Sequence, residues 1–258
     1  MKITVSGLWI GPALSEIEQL SIKSFLNNNY KYDLYVYDKV KNIPKGVNVK
    51  DADEILPKSE IFAYKNSSFS AVSNIFRFQL LYKKNAIWVD LDIICTKYYD
   101  FNKDKYVFIT EPDKSYKNEK LGSCIMKIPK NDIIAFDAIE RCKREKEKVL
   151  NGEIVWGIGP RTVKYIVDKY ALSKYVKNWK FSNCCANKHF ECIINPSFKE
   201  EGDYFNKIDK IPAENHFIHL WNEYMRRNNV DKNGIPVNSF LQDIKTKILR
   251  VSQANSNP

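Results

Sequence analysis

The first forty residues constrain the fold most, because strand, helix and strand signals follow one another there. Residues 3–10 (Ile-Thr-Val-Ser-Gly-Leu-Trp-Ile) are a β-prone run closed by the turn pair Gly11-Pro12. Ser15 with Glu18 three residues on has capping-box spacing, and Ile17, Leu20, Ile22 and Phe25 give an apolar face to a helix over about 16–27. Leu34-Tyr35-Val36-Tyr37 is a second strand. Two strands joined through a helix require a crossover connection, hence an α/β sheet.

Residues 41–68 read as irregular, with Asp51-Ala52-Asp53-Glu54 a helix-start or loop cluster. From Ser70 to about Lys83, Val72, Ile75, Phe76, Leu80 and Tyr82 stand at mostly helical spacing. That helix leads into a strand over 85–95. Further strands are expected at 105–110 and 121–128, and a charged amphipathic helix at 131–150. Gly157-Ile158-Gly159-Pro160 breaks the chain, and Pro160 suits the first turn of a helix reaching Tyr170. The region 184–215 is mixed, and the residues beyond about Val251 are polar and expected to fray.

At 258 residues and 44% hydrophobic composition, the chain can build one large domain or a domain with an appendage. Its 41 Lys and Arg against 31 Asp and Glu give a charge of +10, which suits an anionic ligand, an anionic membrane surface or nucleic acid. Much of the excess is scattered lysine, which a Lys/Asn-rich composition also produces. With no zinc finger, RNA-binding signature or compact arginine-rich segment, nucleic acid is not an expected partner. Cys95, Cys124, Cys142, Cys184, Cys185 and Cys192 form no dense framework, so reduced thiols are expected. The chain reads as cytoplasmic, since it shows neither a secretory leader nor an apolar run long enough to span a bilayer.

The strand 85–95 carries Asp90 and Asp92, one residue apart. On an extended strand both face one way, with Cα atoms roughly 6.6 Å apart, so both reach one cation only if the chain bends or one acts through water. Two readings stand: a metal site at a strand end, or a strand running out into solvent. Of His189, His216 and His219, the last is the better metal candidate, because a short strand can hold it at a sheet edge with His216 facing elsewhere. Asn74 and Arg77 share a helical face and could present an amide and a guanidinium fork to hydroxyls or phosphate; equally, Arg77 could pair with a surface carboxylate. Trp9 and Trp88 suit the core or a ligand platform. No P-loop or dinucleotide fingerprint is present.

Ser70-Ala71-Val72-Ser73-Asn74-Ile75-Phe76-Arg77, Leu80-Leu81-Tyr82 and Ile87-Trp88-Val89-Asp90-Leu91-Asp92 together resemble the central block of glycosyltransferases with an Asp-x-Asp sugar-nucleotide site. The group includes capsular and lipopolysaccharide sugar transferases, yeast mannosyltransferases and α-1,4-glycosyltransferases, with the clostridial glucosylating toxins as distant relatives. Leu8-Trp9-Ile10-Gly11, Gly159-Pro160 and His219-Leu220-Trp221-Asn222-Glu223 resemble its opening, its later helix start and its closing histidine segment. The resemblance spans roughly residues 3–227. It implies a GT-A-like α/β fold, a central mixed sheet flanked by helices, with a catalytic domain at 1–230 and a C-terminal helical extension and frayed tail at 231–258.

It also implies a Mn²⁺ cofactor, with Mg²⁺ as the alternative: Asp92 and His219 bind the ion, and Asp90 reaches it through water or touches ribose and sugar. Trp9 would lie near the base, and Asn74 and Arg77 on the donor sugar. The implied reaction is retaining transfer of a hexosyl unit from a nucleotide diphosphate sugar, UDP-sugar favoured, to a glycan or lipid-linked acceptor in surface polysaccharide synthesis. Asn74 departs from the usual Asp, Asn85-Ala86 from two glycines, and Trp88 from a frequent Tyr. Asp113, Glu153 and Glu223 are the carboxylates available to the acceptor. Basic clusters at Arg141-Lys143-Arg144 and Arg226-Arg227 suit a peripheral contact with the cytoplasmic face of an anionic membrane. A noncatalytic carbohydrate-binding or scaffold protein of the same fold is the alternative, whereas paired carboxylates on one strand face do not suit a glycoside hydrolase.

Overall fold

The computed structural model describes residues 2–65, 67–115, 117–154, 157–198 and 207–254. In chain order its elements are β1 (Thr4–Trp9), α1 (Glu16–Asn27), β2 (Lys31–Val36), β3 (Asn48–Asp51), α2 (Ser70–Lys83), β4 (Ile87–Val89), β5 (Ile93–Cys95), β6 (Phe108–Pro112), β7 (Glu119–Leu121) and β8 (Ile125–Lys127). They continue with α3 (Ile133–Leu150), α4 (Ile158–Lys169), β9 (Val176–Lys177), α5 (Glu191–Ile194), β10 (Phe217–His219), α6 (Asn222–Arg227) and α7 (Phe240–Ala254). The central sheet has the order β3-β2-β1-β4-β8, parallel except for β8, which runs against β4. It is the expected mixed sheet flanked by helices. A paired bridge between Val107 and Lys127 hangs the sheet β7-β6-β9 on the β8 side, and β5 pairs with β10 separately.

Strand alternation divides the core in two. Leu8, Tyr35, Trp88 and Met126 face α2, α3 and α4, packing on Val72, Phe76, Ala138 and Ile166. Val5, Ile87, Val89 and Ile125 face the opposite way, toward Ile22, Phe25 and Phe217. Each large side chain so buried contributes about 1.5–3 kcal/mol. Helix α1 also completes the short strand β5, since the Ser21 hydroxyl donates to the Ile93 carbonyl (2.6 Å) and the Cys95 N–H donates to the Ser24 hydroxyl (2.7 Å). A third core gathers Ile17, Leu20, the thiols Cys184, Cys185 and Cys192, and Leu241 and Ile244 of α7.

Two expectations are corrected here. Residues 41–68 contain β3, an edge strand with every side chain exposed, which therefore has no apolar alternation to betray it; Asp51 ends it and accepts the Asp53 N–H at 2.9 Å. The strand 85–95 is two strands, β4 and β5, in different sheets, separated by a turn at Asp90-Leu91-Asp92. Helix α7 continues to Ala254; the tail 255–258, and residues 199–206 of the mixed region, lie outside the described residues. All six cysteines are buried free thiols, as expected.

Candidate active site at the strand ends

A cleft of ≈ 370 Å³ opens at the carboxyl ends of β1 and β4. Strand order reverses there, because β1 leads outward to β2 and β3 while β4 lies on its other side. In open α/β sheets such a switch point is where ligands bind. The six residues to which the resemblance assigns donor or metal contacts all line it: Trp9, Asn74, Arg77, Asp90, Asp92 and His219.

The turn that breaks the acidic strand is what assembles them. The Asp90 N–H still donates to the Cys124 carbonyl (2.8 Å), extending the β4–β8 ladder by one residue. The Ile93 N–H then donates back to the Asp90 carbonyl (3.2 Å), and the Leu220 N–H takes the Asp92 carbonyl (2.9 Å), delivering the chain to β10. Leu91 tucks against β1 where Gly7 leaves space; a Cβ on Gly7 would stand 2.6 Å from Leu91 Cδ1. The expectation of two carboxylates on a straight strand is thus replaced by the bend that a shared cation would require.

Asp90 is held from the α2 side. Its Oδ1 accepts the Trp88 indole N–H (2.7 Å) and lies 3.2 Å from Arg77 Nη2. Arg77 is 3% exposed, donates to the Ser73 carbonyl, the Ser73 hydroxyl and the Ser123 carbonyl, and sits 4.9 Å from the Trp88 ring centroid. Its carboxylate partner is therefore inside the cleft, not on the surface. Burial pushes the Asp90 carboxyl above its usual range, Arg77 draws it back, and neighbouring Asp92 raises it again.

Asp92 is held from the other side. Its Oδ2 accepts the Asn222 N–H (2.8 Å) and lies 3.3 Å from His219 Nε2. Strand β10 pairs His219 with Ile93 of β5, and the imidazole lies on the Trp221 ring with centroids 4.0 Å apart. Burial opposes charge on both members, yet their mutual attraction and the Asn222 N–H hold Asp92 below the ordinary carboxylate range. His219 is raised well above the ordinary imidazole value, with Cys124 and Asp92 outweighing burial. His219 Nδ1 is buried without a hydrogen-bond partner among the described residues. Two carboxylates and an imidazole whose Nε2 faces one of them are donor types that suit a divalent cation.

Asn74, 5% exposed, lies against the start of α4, where a Cβ on Gly159 would fall 2.2 Å from its Oδ1 and 2.7 Å from Ser123 Oγ. Pro160 is in that first turn as expected. Trp9 lines the cleft with its ring 5.5 Å from Lys232 Nζ, and Trp88, a core residue, also forms part of the cleft wall. His216 is outside the cleft, its ring against Tyr99 and Phe181, and so is His189, beside Phe198. Asp113 folds onto Ser115 and Asn118, which hold it down to about 2, and neither it nor exposed Glu153 lines the cleft. Glu223 does, braced by Arg226 and Arg227.

Sequence reasoning missed Glu111, Cys124 and Lys232, which also line the cleft. Burial raises Glu111 and pushes the Cys124 thiol up to about 11. A Glu three residues past a strand start and a Cys before another carry no local signal; only the sheet brings them in.

No protein-family model and no curated protein matches the chain. Among solved structures, it is similar to a PaToxG glycosyltransferase, with 16% identity and a TM-score of 0.47 over 66% of this chain and 69% of that one. It is also similar to the glycosyltransferase GlyE of Streptococcus pneumoniae TIGR4, with 12% identity and a TM-score of 0.44 over 98% of this chain and 65% of that one. The chain thus spans less than two thirds of GlyE. Likeness at this level transfers no activity, and function has to be read from the cleft.

Proposed function

We propose that the chain is a metal-dependent glycosyltransferase of GT-A-like fold. It would move a hexosyl unit from a nucleotide diphosphate sugar, UDP-sugar favoured, to a hydroxyl of a glycan or lipid-linked acceptor, with retention, in surface polysaccharide synthesis. The observation that carries this reading is the turn at Asp90-Leu91-Asp92, which sets one carboxylate on Arg77 and the other on His219 inside a switch-point cleft. The sequence resemblance to Asp-x-Asp sugar transferases runs through the same residues.

In this reading Asp92 and His219 hold Mn²⁺ or Mg²⁺, with Asp90 beside them. The bound ion supplies positive charge that stabilises a departing diphosphate. Arg77 fixes the Asp90 carboxylate and, with Asn74, faces the donor sugar. Trp9 offers a flat face to the base, and Lys232 and Arg226 add positive charge where the diphosphate would lie. The hydrogen bonds that brace Asp90 and Asp92 mean that neither would have to reorganise as charge develops.

The test is release of UDP or GDP from a panel of nucleotide sugars with Mn²⁺, by the wild type and by Asp92→Ala. Release that depends on Mn²⁺ and falls on the order of a hundredfold or more in the variant is expected, the size of loss when a principal charge stabiliser is removed. Release unchanged in the variant refutes the metal-centred mechanism. No release with any sugar favours a noncatalytic carbohydrate-binding protein.

A further inference from the structure

Glu111 and Cys124 have no role in the reading above, yet they stand beside its central histidine. Glu111, on β6, lies across Gly122, where a Cβ would fall 2.5 Å from Glu111 Oε1. Cys124 immediately precedes β8, is 2% exposed, and gives its carbonyl to the Asp90 N–H. A carboxylate oxygen of Glu111, the Cys124 sulfur and a ring nitrogen of His219 all lie within 4.8 Å of one another. Donor atoms sharing one cation at ordinary bond lengths are about 3–4.5 Å apart, so a small inward movement suffices.

The neighbours separate the candidate ligands further. Asp92 Oδ2 lies outside that mutually close set but is 3.3 Å from His219 Nε2, so the imidazole links Asp92 to the group. His219 Nδ1 is buried without a hydrogen-bond partner among the described residues. Asp90, by contrast, has Oδ1 occupied by the Trp88 indole and the Arg77 guanidinium.

We propose that Glu111 joins Asp92 and His219 as a direct ligand of the divalent cation, that Cys124 gives this site a thiol face, and that Asp90 is not a direct ligand. The inference rests on the metal-dependent reading above and specifies its coordination. A thiol beside oxygen and imidazole donors shifts preference toward Co²⁺, Zn²⁺ and Cd²⁺ relative to Mg²⁺ and Mn²⁺. The protein therefore takes up thiophilic ions at the centre where it would use Mn²⁺.

The experiment uses the full chain stripped of metal. Mn²⁺ binding is followed by the paramagnetic resonance of the free ion, and Co²⁺ binding by absorption, in the wild type, Glu111→Gln, Glu111→Asp, Cys124→Ser and Asp90→Asn. Far-ultraviolet circular dichroism confirms that each variant is folded. Glu111→Gln is expected to weaken Mn²⁺ binding roughly 10- to 100-fold, with partial rescue in Glu111→Asp and a smaller loss in Asp90→Asn. Wild-type Co²⁺ should show a thiolate-to-cobalt band in the near ultraviolet that disappears in Cys124→Ser. That variant should also lose more affinity for Zn²⁺ than for Mn²⁺.

Cys184, Cys185 and Cys192 form a separate buried thiol group whose sulfurs also lie within 4.8 Å of one another. A band that survives in Cys124→Ser belongs to those thiols and overturns the Cys124 assignment. Unchanged Mn²⁺ affinity in Glu111→Gln, with Mn²⁺-dependent nucleotide release intact, overturns the Glu111 assignment while leaving the proposed reaction standing. A wild-type chain that binds no divalent ion and releases no nucleotide overturns both.

Discussion

A single missing side chain shapes the Asn74 side of the cleft. At Gly159 a methyl group would stand 2.2 Å from Asn74 Oδ1 and 2.7 Å from Ser123 Oγ, and the Ser123 carbonyl is also a partner of Arg77. Gly159→Ala is expected to cost about 1–3 kcal/mol through overpacking. Nucleotide release should fall further than that loss of stability explains, because Asn74 and Arg77 would both shift; release at the wild-type rate would show that the contact is inert. The Asp92–His219 pair supplies a pH signature in the metal-free protein. His219 is raised above its ordinary 6.5, so its contribution is full below that value and fades as pH climbs through the folded value. Asp92 is lowered below its ordinary 3.8, so its contribution is full above that value and fades as pH drops through the folded one. The melting-temperature gap between wild type and His219→Gln, in chelator, should therefore be widest between about pH 4 and 6.5 and narrow above it. A gap that grows with rising pH would contradict the pairing.

At the scale of elements, α1 does more than its sequence signal states. Glu18 stands in capping-box position and accepts the Ser15 N–H at 2.8 Å, as the spacing requires. Its other oxygen accepts the Asn222 amide (2.9 Å) and Lys232 (2.7 Å), although Glu18 itself is fully buried. The same turn is tied again where the Glu16 N–H donates to Asn233 Oδ1 (3.2 Å). One carboxylate therefore starts a helix and straps the segment around Lys232 to the rim of the cleft. Glu18→Ala strands three donors and is expected to destabilise by about 2–4 kcal/mol in thermal or denaturant unfolding. Below the melting transition, the Michaelis constant for the nucleotide sugar should rise more than turnover falls; unchanged kinetics would mean that the strap does not serve the cleft. The capping half of this arrangement was legible because it lies within four residues. The strap was not, since 204 residues separate Glu18 from Asn222.

At the scale of the whole molecule, the two basic clusters are partly engaged within the chain, although the net charge stays at +10. Arg226 and Arg227 brace Glu223, Lys143 lies 3.1 Å from Glu140, and Arg141 packs on Tyr165. Among the described residues no helix is long and apolar enough to cross a membrane. The proposed contact with a membrane surface rests instead on charge, with exposed lysines gathering anionic headgroups. Co-sedimentation with anionic vesicles, falling as salt rises, and none with neutral vesicles is the expected result. Equal failure to bind both would remove the membrane contact and leave the proposed chemistry untouched.

The sequence by itself determined the first crossover of the sheet and the helices from Glu16 and Ser70, and it singled out six residues that prove to share one cleft. Those signals are local: alternation within a strand, three-to-four spacing within a helix, and short motifs. Only the tertiary structure decided that Asp90 and Asp92 sit on a turn between two sheets, because that break depends on β8 ending the ladder and β10 receiving the chain. It also decided that Arg77 faces Asp90, that His219 faces Asp92, and that Glu111 and Cys124 stand beside them. Strand pairing between distant segments sets those neighbours, and no periodicity within a segment records which strands will pair.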